Sequence, residues 1–180
     1  PTDSAGALGW VKKENGTIRG TKFINNSAPD GGAIYLNNGS EFYIITSDFI
    51  NNTASSDGGA IYWDNGADGS VTASSFINNN ATKNGGAIYF DGINGKIGFS
   101  KFINNTAASG GAIYCDGSVT VNDNIFTGNN ATDGKNDIAC NGSIKYNVDF
   151  DIDVEDNVYG KTAKIKVNVT TNGKTVNGGN

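Results

Sequence analysis

Phe23-Ile24-Asn25-Asn26, followed five residues later by Gly31-Gly32-Ala33-Ile34-Tyr35, is the stretch on which the fold turns, because both pieces return at a nearly fixed period. The first recurs as Phe49 to Asn52, Phe76 to Asn79 and Phe102 to Asn105, and in weaker form as Phe126-Thr127-Gly128-Asn129, in steps of 26, 27, 26 and 24 residues. The second recurs at Gly58 to Tyr62, Gly85 to Tyr89 and Gly110 to Tyr114, with degenerate copies at Ala5-Gly6-Ala7-Leu8 and Asn136-Asp137-Ile138-Ala139. A third apolar position lies five residues before each Phe, at Ile18, Ile44, Val71, Ile97 and Val121. About six turns of one unit cover residue 5 to roughly residue 146.

A period near 26 residues suits a helical solenoid, a leucine-rich repeat or a β-helix, and the local pattern decides between them. Asn, Gly, Ser and Thr fill the unit, and its apolar residues alternate with period two, as in Ile61-Tyr62-Trp63, so helix is excluded. Glycine and asparagine tolerate the positive φ that tight corners between strands require. The expectation is an all-β chain: a right-handed parallel β-helix of about six coils of ~26 residues, with three short strands per coil stacked about 4.8 Å apart. Stacking turns the repeat into columns. Leu8, Ile34, Ile61, Ile88, Ile113 and Ile138 form one inward column, and Trp10, Leu36, Trp63, Phe90, Cys115 and Cys140 form a second on the same face. The Phe residues supply another inner wall, so each coil is held by covering its neighbours and an isolated repeat has too little to bury.

Composition agrees. The chain has 180 residues, of which 26 are glycine and 27 asparagine, with no histidine or methionine. Only 37% of it is hydrophobic, low for a compact core, yet 18 aromatics (nine Phe, seven Tyr, two Trp) recur at fixed positions, unlike a disordered tract. Without histidine, a Ser-His-Asp or Cys-His triad, an imidazole metal site and a histidine general base are all excluded. A net charge of −5, with Arg19 the sole arginine, argues against nucleic acid and anionic membrane as partners. No apolar run is long enough to span a bilayer, so direct membrane insertion is not expected of these residues, and no basic-plus-apolar leader is seen. The start at Pro1 reads as a processed or recombinant boundary.

The paired GGAI and FxxN motifs resemble the repeats of the chlamydial polymorphic outer-membrane proteins, and the Asn-rich FINNxA…GGAIY wording is similar to methanogen adhesin-like surface proteins. The resemblance covers most of residues 5 to 146. It implies a large, secreted, extracellular cell-surface protein built of β-helical and immunoglobulin-like modules, with a role in adhesion.

From Asn147 the repeat motifs vanish, which predicts two segments: a repeat domain over 1–146 and a C-terminal β-strand segment over 147–180. The second carries Val148-Asp149-Phe150-Asp151-Ile152-Asp153-Val154 and Lys164-Ile165-Lys166-Val167-Asn168-Val169, two alternating runs, and Asn172-Gly173 as a hairpin signal before Lys174-Thr175-Val176. These antiparallel strands resemble the start of an immunoglobulin-like domain. Either the chain stops inside that module or the tail caps the open end of the β-helix, whose last coil would otherwise present a bare sheet edge.

Candidate sites each have a structural reading beside the functional one. Tyr35, Tyr62, Tyr89 and Tyr114 form an outward aromatic column, flanked by Asn37, Asp64, Asp91, Asp116 and Asn141. Such a stripe either holds a glycan or protein or simply stabilises the sheet by stacking. The Asp64, Asp91 and Asp116 ladder leaves calcium as an alternative, but like charges about 5 Å apart in water repel by only about 0.8 kcal/mol, so no metal is required. No cofactor is expected. Asn26, Asn52, Asn79, Asn105 and Asn129 fall at one corner, where amides can hydrogen-bond along the axis, a structural role. Cys115 and Cys140 occupy one column in successive coils. In-register Cβ atoms lie near 4.8 Å, longer than the about 3.5–4.5 Å of a relaxed disulfide, so free, buried, structural thiols are expected. Nine Asn-x-Ser/Thr sequons, at Asn15, Asn25, Asn38, Asn51, Asn80, Asn104, Asn130, Asn141 and Asn168, are glycosylation candidates.

Catalysis is not expected: carboxylates recur once per coil without a unique cluster, and no Asp constellation surrounds Arg19. The sequence therefore reads as a surface-protein fragment, a structural stalk or presentation domain for cell-cell or cell-surface attachment, with other surface proteins or glycans as partners. The alternative is a self-assembling extracellular filament or surface-layer subunit, joined end to end or by strand pairing.

Overall fold

The computed structural model describes residues 5–11, 14–37, 41–64 and 69–146, and beyond them the backbone of Phe150–Asp151, Asn168–Thr171 and Lys174–Thr175. Each Gly-Gly-Ala-Ile-Tyr copy starts a strand of the first sheet, sheet A, made of Leu8–Trp10, Ile34–Asn37, Ile61–Asp64, Ile88–Asp91, Ile113–Cys115 and Ile138–Cys140. Sheet B follows with Gly16–Arg19, Phe42–Ile45, Gly69–Thr72, Gly95–Gly98, Ser118–Asn122 and Ser143–Tyr146, and the Phe motif builds sheet C from Lys22–Ile24, Asp48–Ile50, Ser75–Ile77, Lys101–Ile103 and Ile125–Thr127. All pairings within these sheets are parallel and join equivalent residues of successive coils, as in Ile34↔Ile61 and Phe49↔Phe76. The molecule is an all-β parallel β-solenoid, and among the described residues there is no helix.

Two expectations are corrected. There are four strands per coil, not three: Ser27–Ala28, Thr53–Ala54, Asn80–Ala81, Thr106–Ala107 and Asn130–Ala131 form sheet D. Two residues are too few to show a period, and their single inward side chain is alanine, which pairs with the alanines above and below to make a small second core of Ala54, Ala81 and Ala107. The described solenoid also has five complete turns, not six, because sheets A and B have six strands while C and D have five.

The main core is a stack of like residues. Ile34, Ile61, Ile88 and Ile113 are fully buried, and Phe23, Phe49, Phe76, Phe102 and Phe126 stack at centroid distances of 4.9, 4.7, 4.8 and 5.2 Å. Each large side chain fully buried this way contributes roughly 1.5–3 kcal/mol. Where a column varies, the neighbouring column compensates. Gly69 lies under the Trp63 indole and Gly95 under the Phe90 ring, while the smaller Leu36 and Cys115 are followed in their coils by Phe42 and Val119. Coil volume is thus held near constant, as close packing demands.

Cys115 and Cys140 pair in register at a Cα–Cα distance of 4.5 Å and form a disulfide, which corrects the expectation of free thiols. The coils approach more closely here than the general strand spacing used to argue against a bond, and the distance falls within the span that a disulfide accepts. The denatured, unreduced chain is therefore expected to show no thiol reactive with Ellman's reagent; two thiols per chain would contradict the pairing.

The corners are built by two polar ladders. At one, Asn25, Asn51, Asn78 and Asn104 take φ of 57°, 54°, 54° and 53° and point outward, while the asparagine after each turns in. At the other, Thr46, Ala73, Phe99 and Asp123 take φ of 49°, 51°, 54° and 53°, where glycine or asparagine was expected. The cause is the next residue. The buried Ser47, Ser74 and Ser100 hydroxyls donate to the carbonyls of Ile45, Thr72 and Gly98, and the backbone N–H groups of Ser47 and Ser74 donate to the hydroxyl of the following serine at 3.1 Å. Asn124 closes this ladder by accepting from the Ser100 N–H at 3.0 Å. These bonds hold a backbone conformation that costs an ordinary residue roughly 1–2 kcal/mol.

In the C-terminal segment the described strands pair antiparallel, with Phe150 opposite Val169 and Thr171 opposite Lys174. The latter two flank the Asn172-Gly173 signal. The remainder of the alternating runs, and with it the choice between a partial immunoglobulin-like module and a cap, lies outside the described residues.

Candidate functional site

The outer face of sheet A carries the tyrosine column because Ile and Tyr alternate across the strand: Ile goes in and Tyr goes out. Tyr35, Tyr62, Tyr89 and Tyr114 stack at 5.1, 4.7 and 5.5 Å with rings within 8° of parallel. Tyr35, Tyr62 and Tyr89 are half-buried, but Tyr114 is only 8% exposed, which corrects its expected place in an open stripe. Stacking also uses the ring faces. Tyr62 and Tyr89 are covered on both sides by their neighbours, so what they present to solvent is ring edges and hydroxyls, whereas beyond Tyr35 the paired residue is Gly9.

The acidic column runs two residues further along each strand and is tied to the phenols. The Tyr89 hydroxyl donates to Asp116 Oδ2 at 2.8 Å, and the Asn37 amide donates to Tyr35 Oη at 3.2 Å and to Asp64 Oδ2 at 3.1 Å. At the other end the Asn141 amide donates to the Tyr114 hydroxyl and to Asp116 Oδ1. The amides Asn37 and Asn141 therefore terminate a ladder whose middle is carboxylate. Burial first, then the nearby carboxylates, pushes the Tyr62 and Tyr114 hydroxyls up; for Tyr89 the bond to Asp116 ranks between these, and all three phenols stay protonated. Asp91 is held above the usual carboxylate range, first by burial and then by the charges of Asp116 and Asp64. Among the described residues, no group of three or more His, Cys, Asp or Glu side chains is placed to hold a metal ion.

That raised Asp91 value has a sign that can be tested. The folded chain binds this proton more tightly than the unfolded chain does. The stabilisation is complete below the ordinary carboxylate pKa and is lost as pH rises through the folded value. Asp91→Asn, which continues the amide pattern of Asn37 and Asn141, is expected to raise Tm near pH 7 and to leave it unchanged near pH 3. Calorimetry giving the same difference at both pH values would contradict repulsion within the ladder.

The corner asparagines are placed as expected. Asn52, Asn79 and Asn105 have no exposed surface, and each accepts at Oδ1 from the backbone N–H and the amide of the asparagine before it at 2.9–3.1 Å. Each also donates to a Phe carbonyl of the preceding coil at 3.0 Å. Asn129 ends the ladder, its amide reaching Phe102 O and Asp137 Oδ1. The Ser47, Ser74, Ser100 and Asn124 ladder escaped the sequence reading, although its signal was present: a small polar residue two places before every repeated Phe.

Of the sequons, Asn25, Asn51 and Asn104 are exposed at the left-handed corner, and Asn15, Asn80 and Asn130 are exposed elsewhere. Asn141 is exposed but its amide is bonded as described. Asn38 lies outside the described residues, as does the side chain of Asn168.

In-register coils joined by buried amide and hydroxyl ladders, with uniform outward columns, define a β-solenoid repeat protein. Its repeats are similar to the Chlamydia polymorphic membrane protein repeat, whose model matches residues 20–37, 46–62, 73–91 and 100–116. Each match runs from the corner before the Phe strand into the following Gly-Gly-Ala-Ile strand, so the matched unit is one coil's sheets C and D and the next strand of sheet A. The matched repeat is described as one of a membrane protein. No curated protein and no solved structure matches the chain.

Proposed function

We propose that these residues form the surface-presented repeat region of an adhesin-like protein, a stiff spacer that projects outward columns from the cell and attaches to other surface proteins or glycans. The repeat class supports the location. The observation that carries the mechanical part is the unbroken bonding along the axis: every described coil is joined to the next through sheets and side-chain ladders, and no described buried side-chain nitrogen or oxygen lacks a partner. The reading is non-enzymatic, since the carboxylates repeat once per coil without a unique cluster. The exposed corner asparagines Asn25, Asn51 and Asn104 suit glycan attachment where the host has the machinery.

The test has two arms. Antibody against residues 5–146 is expected to label intact, unpermeabilised cells of the source organism, and light scattering coupled to size exclusion is expected to give a monomer over a wide concentration range. Labelling only after permeabilisation would overturn the surface reading. Growth into long species with concentration would replace the spacer with a self-assembling filament.

A further inference from the structure

The outward columns are of two kinds, uniform and varied. Sheet A shows Tyr35, Tyr62, Tyr89 and Tyr114, and sheet C shows Ile24, Ile50, Ile77 and Ile103, like stacked on like as mutual support between coils favours. Sheet B shows Thr17, Tyr43, Ser70, Lys96, Thr120 and Lys145, where no residue follows its own kind. The tyrosines and isoleucines repeat over four coils, with Gly9, Ala139 and Thr127 at their ends, and the outward lines from Lys22 on sheet C and from Arg19 on sheet B vary as this one does; what sets the line from Tyr43 to Lys145 apart is the groove along it.

That line floors an open groove of about 540 Å³ that runs along the solenoid axis from Glu41 to Lys145. It spans five successive coils, about 19 Å at the usual strand spacing. Asn94 and Ser118 border it with an amide and a hydroxyl. Lys96 and Lys145 are exposed in the same column two coils apart, about 10 Å, with the Thr120 hydroxyl between them. Neither lysine takes part in an ion pair among the described residues, whose pairs are Lys22–Asp48 and Lys135–Asp133. The carboxylate at the far end, Glu41, accepts from the Tyr43 hydroxyl at 2.9 Å.

We propose that this groove binds a linear acidic polysaccharide lying along the axis, with its carboxylate or sulfate groups on Lys96 and Lys145 and its hydroxyls on Ser70, Asn94, Ser118 and Thr120. The charge spacing suits one anionic group per disaccharide. An acidic peptide fits less well: the strands of sheet B between its first and last are paired on both sides, leaving no edge for main-chain pairing, and the groove offers polar groups rather than pockets for side chains. Two cations on a chain of net charge −5 are too few for nucleic acid. The inference adds a ligand class to the surface reading and rests on sheet B alone.

Titration calorimetry of the whole chain at low ionic strength tests it, with hyaluronan oligosaccharides and heparin as acidic probes, dextran as the neutral one and polyglutamate as the acidic peptide. Saturable binding to hyaluronan or heparin, none to dextran and weakening with added salt are expected. Lys96→Gln and Lys145→Gln should each weaken binding about three- to fivefold, as loss of an exposed charge contact does, and together about tenfold or more. Lys22→Gln and Lys101→Gln, on the outer face of sheet C, should change nothing. Equal losses from the sheet C variants, equal affinity for polyglutamate, or no binding to either acidic polysaccharide would overturn the proposal. In the last case antibody labelling of intact cells would still decide the surface reading separately.

Discussion

Asn79→Ala is expected to be among the most damaging single substitutions in this protein. The change removes four hydrogen bonds at a fully buried position: two accepted by Asn79 Oδ1 from the backbone and side chain of Asn52, and two donated by its amide to Phe49 O and Asn105 Oδ1. Left behind are the buried Asn52 N–H, half of its amide's donors and the Phe49 carbonyl, each costing about 1–3 kcal/mol unsatisfied. The sum is about 3–9 kcal/mol, a large part of the roughly 5–15 kcal/mol that holds a domain, and should lower Tm by about 10 °C or more. The adjacent Asn78 gives the control. It is exposed at φ 54°, so Asn78→Gly relieves a left-handed backbone and is expected to hold or slightly raise stability. Thermal unfolding by circular dichroism should show a large loss for Asn79→Ala and none for Asn78→Gly, one residue away; a mild loss in both would mean the ladder is incidental.

Gly86→Ala is expected to be as severe for a reason of space alone. A Cβ there would sit 2.0 Å from Gly111 O, with Thr106 N and O at 2.6 and 2.7 Å. All three are backbone of the next coil, so no side chain can rotate away. Relief means separating coils that are hydrogen-bonded by Gly86 N–H to Gly110 O at 3.1 Å and by Ala87 N–H to Ala112 O at 2.9 Å. Overpacking a core commonly costs about 1–3 kcal/mol, and a clash with backbone on a repeating interface should exceed that and abolish folding or expression. Gly20→Ala tests the contrast. Gly20 has φ +60° but nothing within 4 Å, so only the left-handed backbone penalty of roughly 1–2 kcal/mol applies. A soluble, cooperatively melting Gly86→Ala protein would show that the coils have slack the structure does not reveal.

How much of this was legible depended on whether a feature repeats. The inward Ile and Phe columns, the corner asparagines and the placing of Cys115 beside Cys140 all followed from period alone, since in a parallel stack equal sequence position means axial neighbourhood. The fourth strand did not, because Ser27–Ala28 and its equivalents are too short for alternation to register. The positive φ at Thr46, Ala73 and Phe99 was hidden because no intrinsic preference of those residues signals it; the serine ladder beside them imposes it. The tyrosine column was visible, but not that stacking would consume its ring faces, nor that Tyr114 would be buried.

The sequence by itself determined the parallel stacking, the register and the identity of each column, because a repeat of about 26 residues with period-two alternation has one way to cover its apolar side chains: with the next copy of itself. Tertiary structure alone decided which groups of each coil remain available. Whether a tyrosine offers a face or an edge, whether Lys96 and Lys145 share a groove, and whether two cysteines come within 4.5 Å between Cα atoms depend on distances and coverage between coils. Spacing along a chain orders the coils but does not measure how closely they approach.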